Sequence, residues 1–383
     1  MKITCNRGLL QTAFQTAATV VPSRSPKPVL QNVKMEATSD RVTLIATDME
    51  VGIRIDVPDQ QAEIPGSALL SVAQFGSILR EANDESLTIE ADGQGILVRG
   101  ERSRFKLPSG NPQEFPDVAE FSESNYFTIG GRLFKELIRR TLFATDAESS
   151  RYALGGILLE FDEDQVTAVA TDGRRLAKMS GPLGSEGNPS SGDSMTIVPS
   201  RSMQLIERAL MNTDADVHLA TRGNDFMVRC PTATVTTRLV EGRFPRWRDV
   251  LPNRPEAILI DMTVGPLLSA LRQAAIVTSG ESRGIDFVFG EGALTLRGLT
   301  ADIGESEIQV PIAYDGELIS MCLDHRYVAD FLKVLDGGRN FTLNIVDGDS
   351  AAFFETDDGY GYVVMPLARD RAARPKTQEA AAH

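Results

Sequence analysis

A pattern that occurs three times constrains this chain more than any other feature. Apolar pairs recur every four residues at Leu9/Leu10, Ala13/Phe14 and Ala17/Ala18. The same phase returns 124 residues later at Leu133/Phe134, Leu137/Ile138 and Thr141/Leu142, and a further 134 on at Leu267/Leu268, Leu271/Arg272 and Ala275/Ile276. Pairs at this spacing lie along one face of an α-helix, so they predict amphipathic helices over 7–21, 131–145 and 264–279. A second helix follows in each repeat, predicted over 71–83, 199–212 and 324–337. Its apolar pairs are Ile78/Leu79, Leu205/Ile206 and Phe331/Leu332, with further inward positions at Ala82, Ala209 and Leu335. Between the two helices run short alternating segments rich in Val, Ile, Thr and Phe, such as 42–46, 166–170 and 293–297, which read as strands. Each repeat therefore combines two helices with several strands, an α+β plan.

A shared turn strengthens the repeat. Ala46-Thr47-Asp48-Met49 and Ala170-Thr171-Asp172-Gly173 end corresponding strands, and Leu299-Thr300-Ala301-Asp302 is a weaker echo. Repetition favours a structural role for the aspartates, as caps of backbone N–H groups. Turn formers cluster at 108–116 and at 242–255, where prolines stand at 245, 252 and 255. With 383 residues, enough for two to four domains, the chain divides on this reading into domains 1–122, 123–254 and 255–368. The segment 181–193 is expected to be a surface loop, and 369–383, which has no apolar periodicity, a disordered tail.

Several functional classes fall away. No run approaches about 18 consecutive apolar residues, and MKITCNRGLL lacks the basic-then-apolar order of an export signal, so no membrane contact and a cytoplasmic location are expected. Cys5, Cys230 and Cys322 are scattered and odd in number, against a disulfide framework. His218, His325 and His383 show no metal-ligand spacing, and neither a Walker loop nor G-x-G-x-x-G occurs, so no metal or cofactor is expected. Gly280-Glu281-Ser282-Arg283-Gly284 fits G-x-S-x-G, and Ser282, Asp302 and His325 stand in hydrolase order. A nucleophile elbow needs a strand before it and a helix after it. This pentapeptide has the reverse context, which argues against catalysis.

The net charge is −14, yet over the six helical windows Lys and Arg exceed Asp and Glu by five, leaving −19 elsewhere. Helices on one side of the sheets would offer a weakly basic face against an acidic remainder. Such a face suits loose contact with phosphates, although charges on helix faces often only solvate them.

The motifs MKITCNRGLL, RSPKPVL (24–30), TAVATDGRRLA (167–177), LVEGRFPRWRDVLP (239–252), AAIVTSGESRG (274–284) and YVVMP (362–366) carry a resemblance. Over about 1–367 the chain resembles the bacterial sliding clamp, the beta subunit of DNA polymerase III. The resemblance implies a DNA clamp fold of three repeated domains, each with two helices packed on antiparallel sheets. It further implies a head-to-tail dimer ring lined by helices, without catalytic activity, that encircles double-stranded DNA irrespective of sequence. Polymerase and clamp-loader subunits would bind it through short peptide motifs. A repeat-built adaptor that binds proteins but no DNA is the alternative reading.

By position, the resemblance assigns DNA contact to Arg24 and Arg151, and the charged face of the second repeat's first helix adds Lys135, Arg139 and Arg140. Ala73 and Gln74 stand where the family often has basic residues. A peptide-binding pocket is implied at Leu154, Thr171, Gly173, Arg174, Arg175, Leu176, Pro245, Val250, Val363, Val364, Met365, Pro366 and Leu367. Within it Arg174 replaces a common His or Tyr and Leu367 a frequent Met, while Ala153 stands beside it in place of an aromatic residue. The dimer interface is expected to join Phe105 and Leu107 of one subunit to Ile276 and Val277 of the other.

Overall fold

The computed structural model describes residues 1–146, 153–189, 195–211, 213–251, 255–280 and 282–368. Within it six α-helices occupy the six predicted windows: α1 (Arg7–Ala18), α2 (Val72–Glu81), α3 (Gly131–Thr141), α4 (Ser200–Ala209), α5 (Val264–Ala274) and α6 (His325–Lys333). They are shorter than their apolar stripes. After α3 and α5 the chain tightens into 3₁₀ turns, Leu142–Ala144 and Ala275–Val277. Local chemistry sets two of the starts. The Asn6 side chain accepts the Leu9 N–H at 3.0 Å before α1, and Asp324 accepts the Arg326 N–H at 3.0 Å before α6. Most of each apolar stripe turns inward, although Leu9 and Ile276 stay exposed, and Phe14 of α1 meets Phe75 of α2 edge to face at 5.1 Å between ring centres.

The chain divides into two compact units. One combines Met1–Ala170 with Ser180–Pro245, the other Thr171–Met179 with the chain from Arg246 onward. In the first unit an antiparallel five-stranded sheet runs in the order Ala62–Ile64, Lys2–Asn6, Ser86–Asp92, Gly95–Arg99, Arg104–Leu107. A nine-stranded sheet joins the first two repeats, because Val51–Val57 pairs with Ala233–Arg238 from Thr237↔Val51 to Ala233↔Ile55. The segment after the first repeat is strapped onto this unit. Phe115 and Val118 are buried against Ile45 and Leu69, and a Cβ on Gly52 would lie 2.7 Å from Val118 Cγ1, so the close approach requires glycine.

In the second unit a four-stranded sheet runs Gly304–Pro311, Ala293–Thr300, Gly284–Gly290, Ile319–Asp324. Residues 175–178 pair with Gly361–Val364, followed by Ala352–Glu355, Asn340–Ile345 and Ile258–Thr263. An aromatic cluster of Phe331, Phe341, Phe354, Tyr360 and Tyr362 fills its core.

One expectation needs correction. Segment 181–193 is not loop throughout, since Gly184–Glu186 forms an edge strand paired with Tyr126–Thr128. Edge pairing needs backbone groups alone, so Gly-Ser-Glu can do it without strand-forming side chains. The predicted tail, 369–383, lies outside the described residues.

Candidate binding surfaces

The turn Thr171–Arg175 is held by its own side chains. Thr171 Oγ1 donates to the Arg175 carbonyl at 2.6 Å and accepts the Gly173 N–H at 3.0 Å. Asp172 Oδ1 accepts the N–H groups of Arg174 at 2.9 Å and Arg175 at 3.0 Å. Gly173 takes φ +84°, a left-handed conformation that glycine adopts without a Cβ clash. The aspartate is thus the turn cap that repetition suggested.

From this turn Arg175 reaches inward. Its Nε meets Asp172 Oδ2 at 2.9 Å, its Nη1 meets Asp330 Oδ2 of α6 at 2.8 Å, and its guanidinium lies 4.4 Å from the centre of the Tyr327 ring. Tyr362 stands behind, its hydroxyl donating to the Tyr327 carbonyl at 3.0 Å. Burial pushes that phenol well above its ordinary pKa and keeps it a neutral donor. Asp330, Tyr327 and Tyr362 were not singled out from sequence. No spacing in the sequence ties them to Arg175, whose contact with α6 is made only by the fold.

The final strand runs antiparallel to 175–178, with Arg175 opposite Val364 and Leu176 opposite Val363, and Met365 N–H donates to the Arg174 carbonyl at 2.9 Å. The segment 363–367 divides into buried and exposed positions. Leu176, Val363 and Val364 are core residues, whereas Met365 and Leu367 are 45% and 37% exposed. The Leu367 N–H donates to the Cys322 carbonyl at 2.8 Å, which pins the segment while leaving its side chain outward. Val250, at the end of the 3₁₀ turn Trp247–Val250, is also exposed, and Pro366 is half-buried. In the first unit Leu154 is buried and Pro245 half-buried, next to the fully packed Phe244.

The basic residues divide. Arg24 is exposed in the loop after α1, Arg139 is exposed on α3 with Glu136 at 3.5 Å, and Lys135 is half-buried. Arg140 is a correction. It is only 7% exposed and its Nε is tied to Glu136 at 2.9 Å, because its place on α3 falls beside the inward residues Leu137 and Thr141. It offers no guanidinium to a ligand. Arg151 lies outside the described residues. Two exposed arginines of α4, Arg201 and Arg208, were not singled out. The buried set Met203, Leu205, Ile206 and Ala209 fixes their outward phase, a signal readable from periodicity.

Among the end strands of the sheets, two carry opposite charge. At Arg104–Leu107 exposed Arg104 and Lys106 alternate with half-buried Phe105 and Leu107. At Gly304–Pro311 exposed Glu305 and Glu307 stand on the edge, and the neighbouring 3₁₀ turn presents Ile276, 75% exposed, next to half-buried Val277. One edge is basic and the other acidic.

The hydrolase pattern is not assembled as a triad. The Ser282 hydroxyl points to the Leu299 carbonyl at 3.5 Å and His325 Nδ1 faces the Arg283 carbonyl at 2.9 Å, while the strand Gly284–Gly290, not a helix, follows. Among the described residues no group of His, Cys, Asp and Glu could hold a metal ion.

Comparison with known proteins gives one family throughout. Residues 1–119, 128–246 and 248–368 match the N-terminal, central and C-terminal domains of the DNA polymerase III beta subunit. The beta sliding clamp of Pseudomonas aeruginosa is 31% identical over 370 residues, covering 96% of this chain and all of that protein. That of Chlamydia trachomatis is 29% identical over 96% of this chain and 87% of its own. Among solved structures, a sliding clamp from P. aeruginosa bound to griselimycin has a TM-score of 0.87 at 30% identity, covering 96% of this chain and 100% of that one. The beta subunit from Thermotoga maritima, at 20% identity and TM-score 0.85 over 96% of this chain and 99% of that one, shares the fold. With three matched domains following one another in order and a relative alike from end to end, this chain belongs to the DNA polymerase III beta-subunit family, the bacterial sliding clamps.

Proposed function

We propose that this chain is a DNA sliding clamp, a processivity factor that closes head to tail with a second copy into a ring around duplex DNA and tethers the polymerase to it. The observation that carries the reading is the succession of three family domains along one chain; the unlike charges of the strand edges at Arg104–Leu107 and Gly304–Pro311 support it. On this reading the domains are 1–122, 123–254 and 255–368. Phe105 and Leu107 of one subunit pack on Ile276 and Val277 of the next, with Arg104 and Lys106 facing Glu305 and Glu307. Strand addition at such edges satisfies backbone groups that would otherwise face water, and opposite charges select head-to-tail over head-to-head contact.

The ring works by enclosure rather than catalysis. To slide, it must touch phosphates and leave bases unread, so that the energy is nearly level from one register to the next. Arg24, Lys135 and Arg139 supply such contacts, together with Arg151. Few phosphates are neutralised, so binding is weak and salt-sensitive, and topology supplies the persistence. Thr171–Arg175, Val250 and Met365–Leu367 take short extended peptides from polymerase and clamp-loader subunits, with Leu176, Val363 and Val364 as supporting residues. The exposed apolar side chains act as anchors for the peptide, and buried Leu176, Val363 and Val364 give them a rigid floor. The protein works on DNA in the cytoplasm, in keeping with the absence, among the described residues, of a helix long and apolar enough to cross a membrane.

Primer extension on a long template tests the proposal. With clamp loader and polymerase, the chain lengthens products made in a single binding event, and the double change Ile276→Asp with Val277→Asp abolishes the gain. Equal product lengths with and without the chain would contradict it.

A further inference from the structure

We propose that the turn at Thr47–Val51 and the cavity beside it form a second peptide-docking site, which takes a short extended segment carrying one aliphatic anchor flanked by carboxylates. The inference rests on the reading of Thr171–Arg175 as a peptide site, of which this turn is the counterpart one repeat earlier. The likeness holds bond by bond. Thr47 Oγ1 donates to the Val51 carbonyl at 2.9 Å and accepts the Met49 N–H at 2.9 Å, and Asp48 Oδ1 accepts from Glu50 at 3.0 Å and Val51 at 2.9 Å. Val51 enters a strand paired with Thr237, just as Arg175 enters one paired with Val364.

What differs between the turns points to a ligand. Where the later turn has Gly173 at φ +84°, this one holds Met49 at φ +83°, a left-handed conformation that a residue with a Cβ adopts only at a conformational cost. The side chain so held is 48% exposed. Methionine is unbranched and adaptable, the kind of apolar side chain used where a surface must fit varied partners.

Beside the turn lies a cavity of about 120 Å³, room for one aliphatic side chain, walled by Val20, Val51 and Leu205 and rimmed by Arg201, Gln204 and Arg208. Leu205 is the sixth residue of α4, as Asp330 is the sixth of α6. The later turn's Arg175–Asp330 ion pair is thus replaced here by Val51 and Leu205, which turns a polar anchor point into an apolar one.

Charge chooses the occupant. Among the described residues no carboxylate lines the cavity. Arg201 is held by Asp48 at 2.9 Å with most of its side chain still exposed, and exposed Arg208 makes no ion pair among the described residues. Carboxylates flanking an aliphatic residue would meet both arginines while the anchor fills the cavity. A DNA phosphate would satisfy the arginines as well, yet it would leave the three apolar walls and Met49 without a role.

The test uses the full-length chain with methyl-¹³C-labelled methionines, titrated in parallel with the capped peptide Glu-Leu-Asp-Leu-Glu and with a 20-base-pair duplex. The Met49 methyl resonance is expected to shift saturably with the peptide, and Arg208→Glu, a change at an exposed position, to weaken that response at least tenfold. Met365 reports the other site independently. A peptide that moves Met365 alone, or neither resonance, overturns this inference. So does a duplex that moves Met49 and loses its effect in Arg208→Glu while the peptide is silent. If the peptide moves Met49 but leaves Met365 unmoved, this site stands and the peptide reading of Thr171–Arg175 falls.

Discussion

Replacing Arg175 with Ala removes the group that joins the turn Thr171–Arg175 to α6. The Arg175 side chain is 11% exposed, and its guanidinium is bonded to Asp172 at 2.9 Å and Asp330 at 2.8 Å, with the Tyr327 ring 4.4 Å away. Breaking a fully buried pair typically costs about 3–5 kcal/mol, because the carboxylate left behind loses its partner. Two features reduce that figure here. Asp172 keeps the N–H groups of Arg174 and residue 175, which alanine retains, and Asp330 keeps Lys333 at 3.4 Å. The expected loss is therefore about 2–3 kcal/mol, confined to the second unit. For a body of this size that corresponds to roughly 4–10 °C in its unfolding transition. The unit has its own reporter, since Trp247 is the single tryptophan of the chain and is buried beneath Arg248, whose guanidinium lies 4.3 Å from its ring. Heating with Trp247 fluorescence as the readout should show the shift, while far-UV circular dichroism retains a transition from the first unit near the parent's temperature. Arg175→Lys, which keeps a charge but not the two-pronged geometry, should recover less than half of the loss. If the Trp247 transition of Arg175→Ala falls within about 1 °C of the parent, which by the same conversion is well under 1 kcal/mol, the network is not what holds the turn.

Three further outcomes follow from particular residues. If the proposed ring forms, Ile276→Asp with Val277→Asp should leave a species near the 41.6 kDa chain mass in sedimentation equilibrium where the parent runs as a dimer, because on that reading charges would enter an apolar contact. Met49→Gly should stabilise the first unit by about 1 kcal/mol, and Gly173→Ala should destabilise the second by a similar amount, both measured by urea unfolding. Asp324→Ala removes the cap of α6 and the Arg326 pair, at 3.0 Å and 2.6 Å, and should cost about 1–2 kcal/mol at neutral pH. Burial opposes the Asp324 charge, but the Arg326 hydrogen bonds outweigh it and hold the carboxyl below its ordinary range. Its contribution is therefore complete above the unfolded pKa of about 4. It fades as pH falls through the lower folded value, so the gap between parent and variant should close on acidification.

The helices were legible because each carries a stripe that no other element produces, and the caps at Asn6 and Asp324 only fix where they begin. The Thr-Asp turns were legible because they recur. Arg140 was not, since a basic residue beside the inward stripe of α3 faces solvent or core according to whether Glu136 turns to meet it, which spacing does not specify. Nor was the joining of Val51–Val57 to Ala233–Arg238, which brings together residues nearly two hundred positions apart through backbone groups common to every sequence. At the candidate site the motifs that carried the resemblance only pointed to stretches of chain. Only the fold separates the buried floor, Leu176, Val363 and Val364, from the outward Met365 and Leu367.

The claim that this chain holds DNA by encircling it is tested most directly by loading it onto a nicked circular duplex and filtering the product at a salt concentration that releases phosphate contacts. The account predicts that the protein stays with the circle and is lost when a single cut makes the DNA linear. Protein that leaves the intact circle as readily as the linear form, or that stays on both, would contradict it.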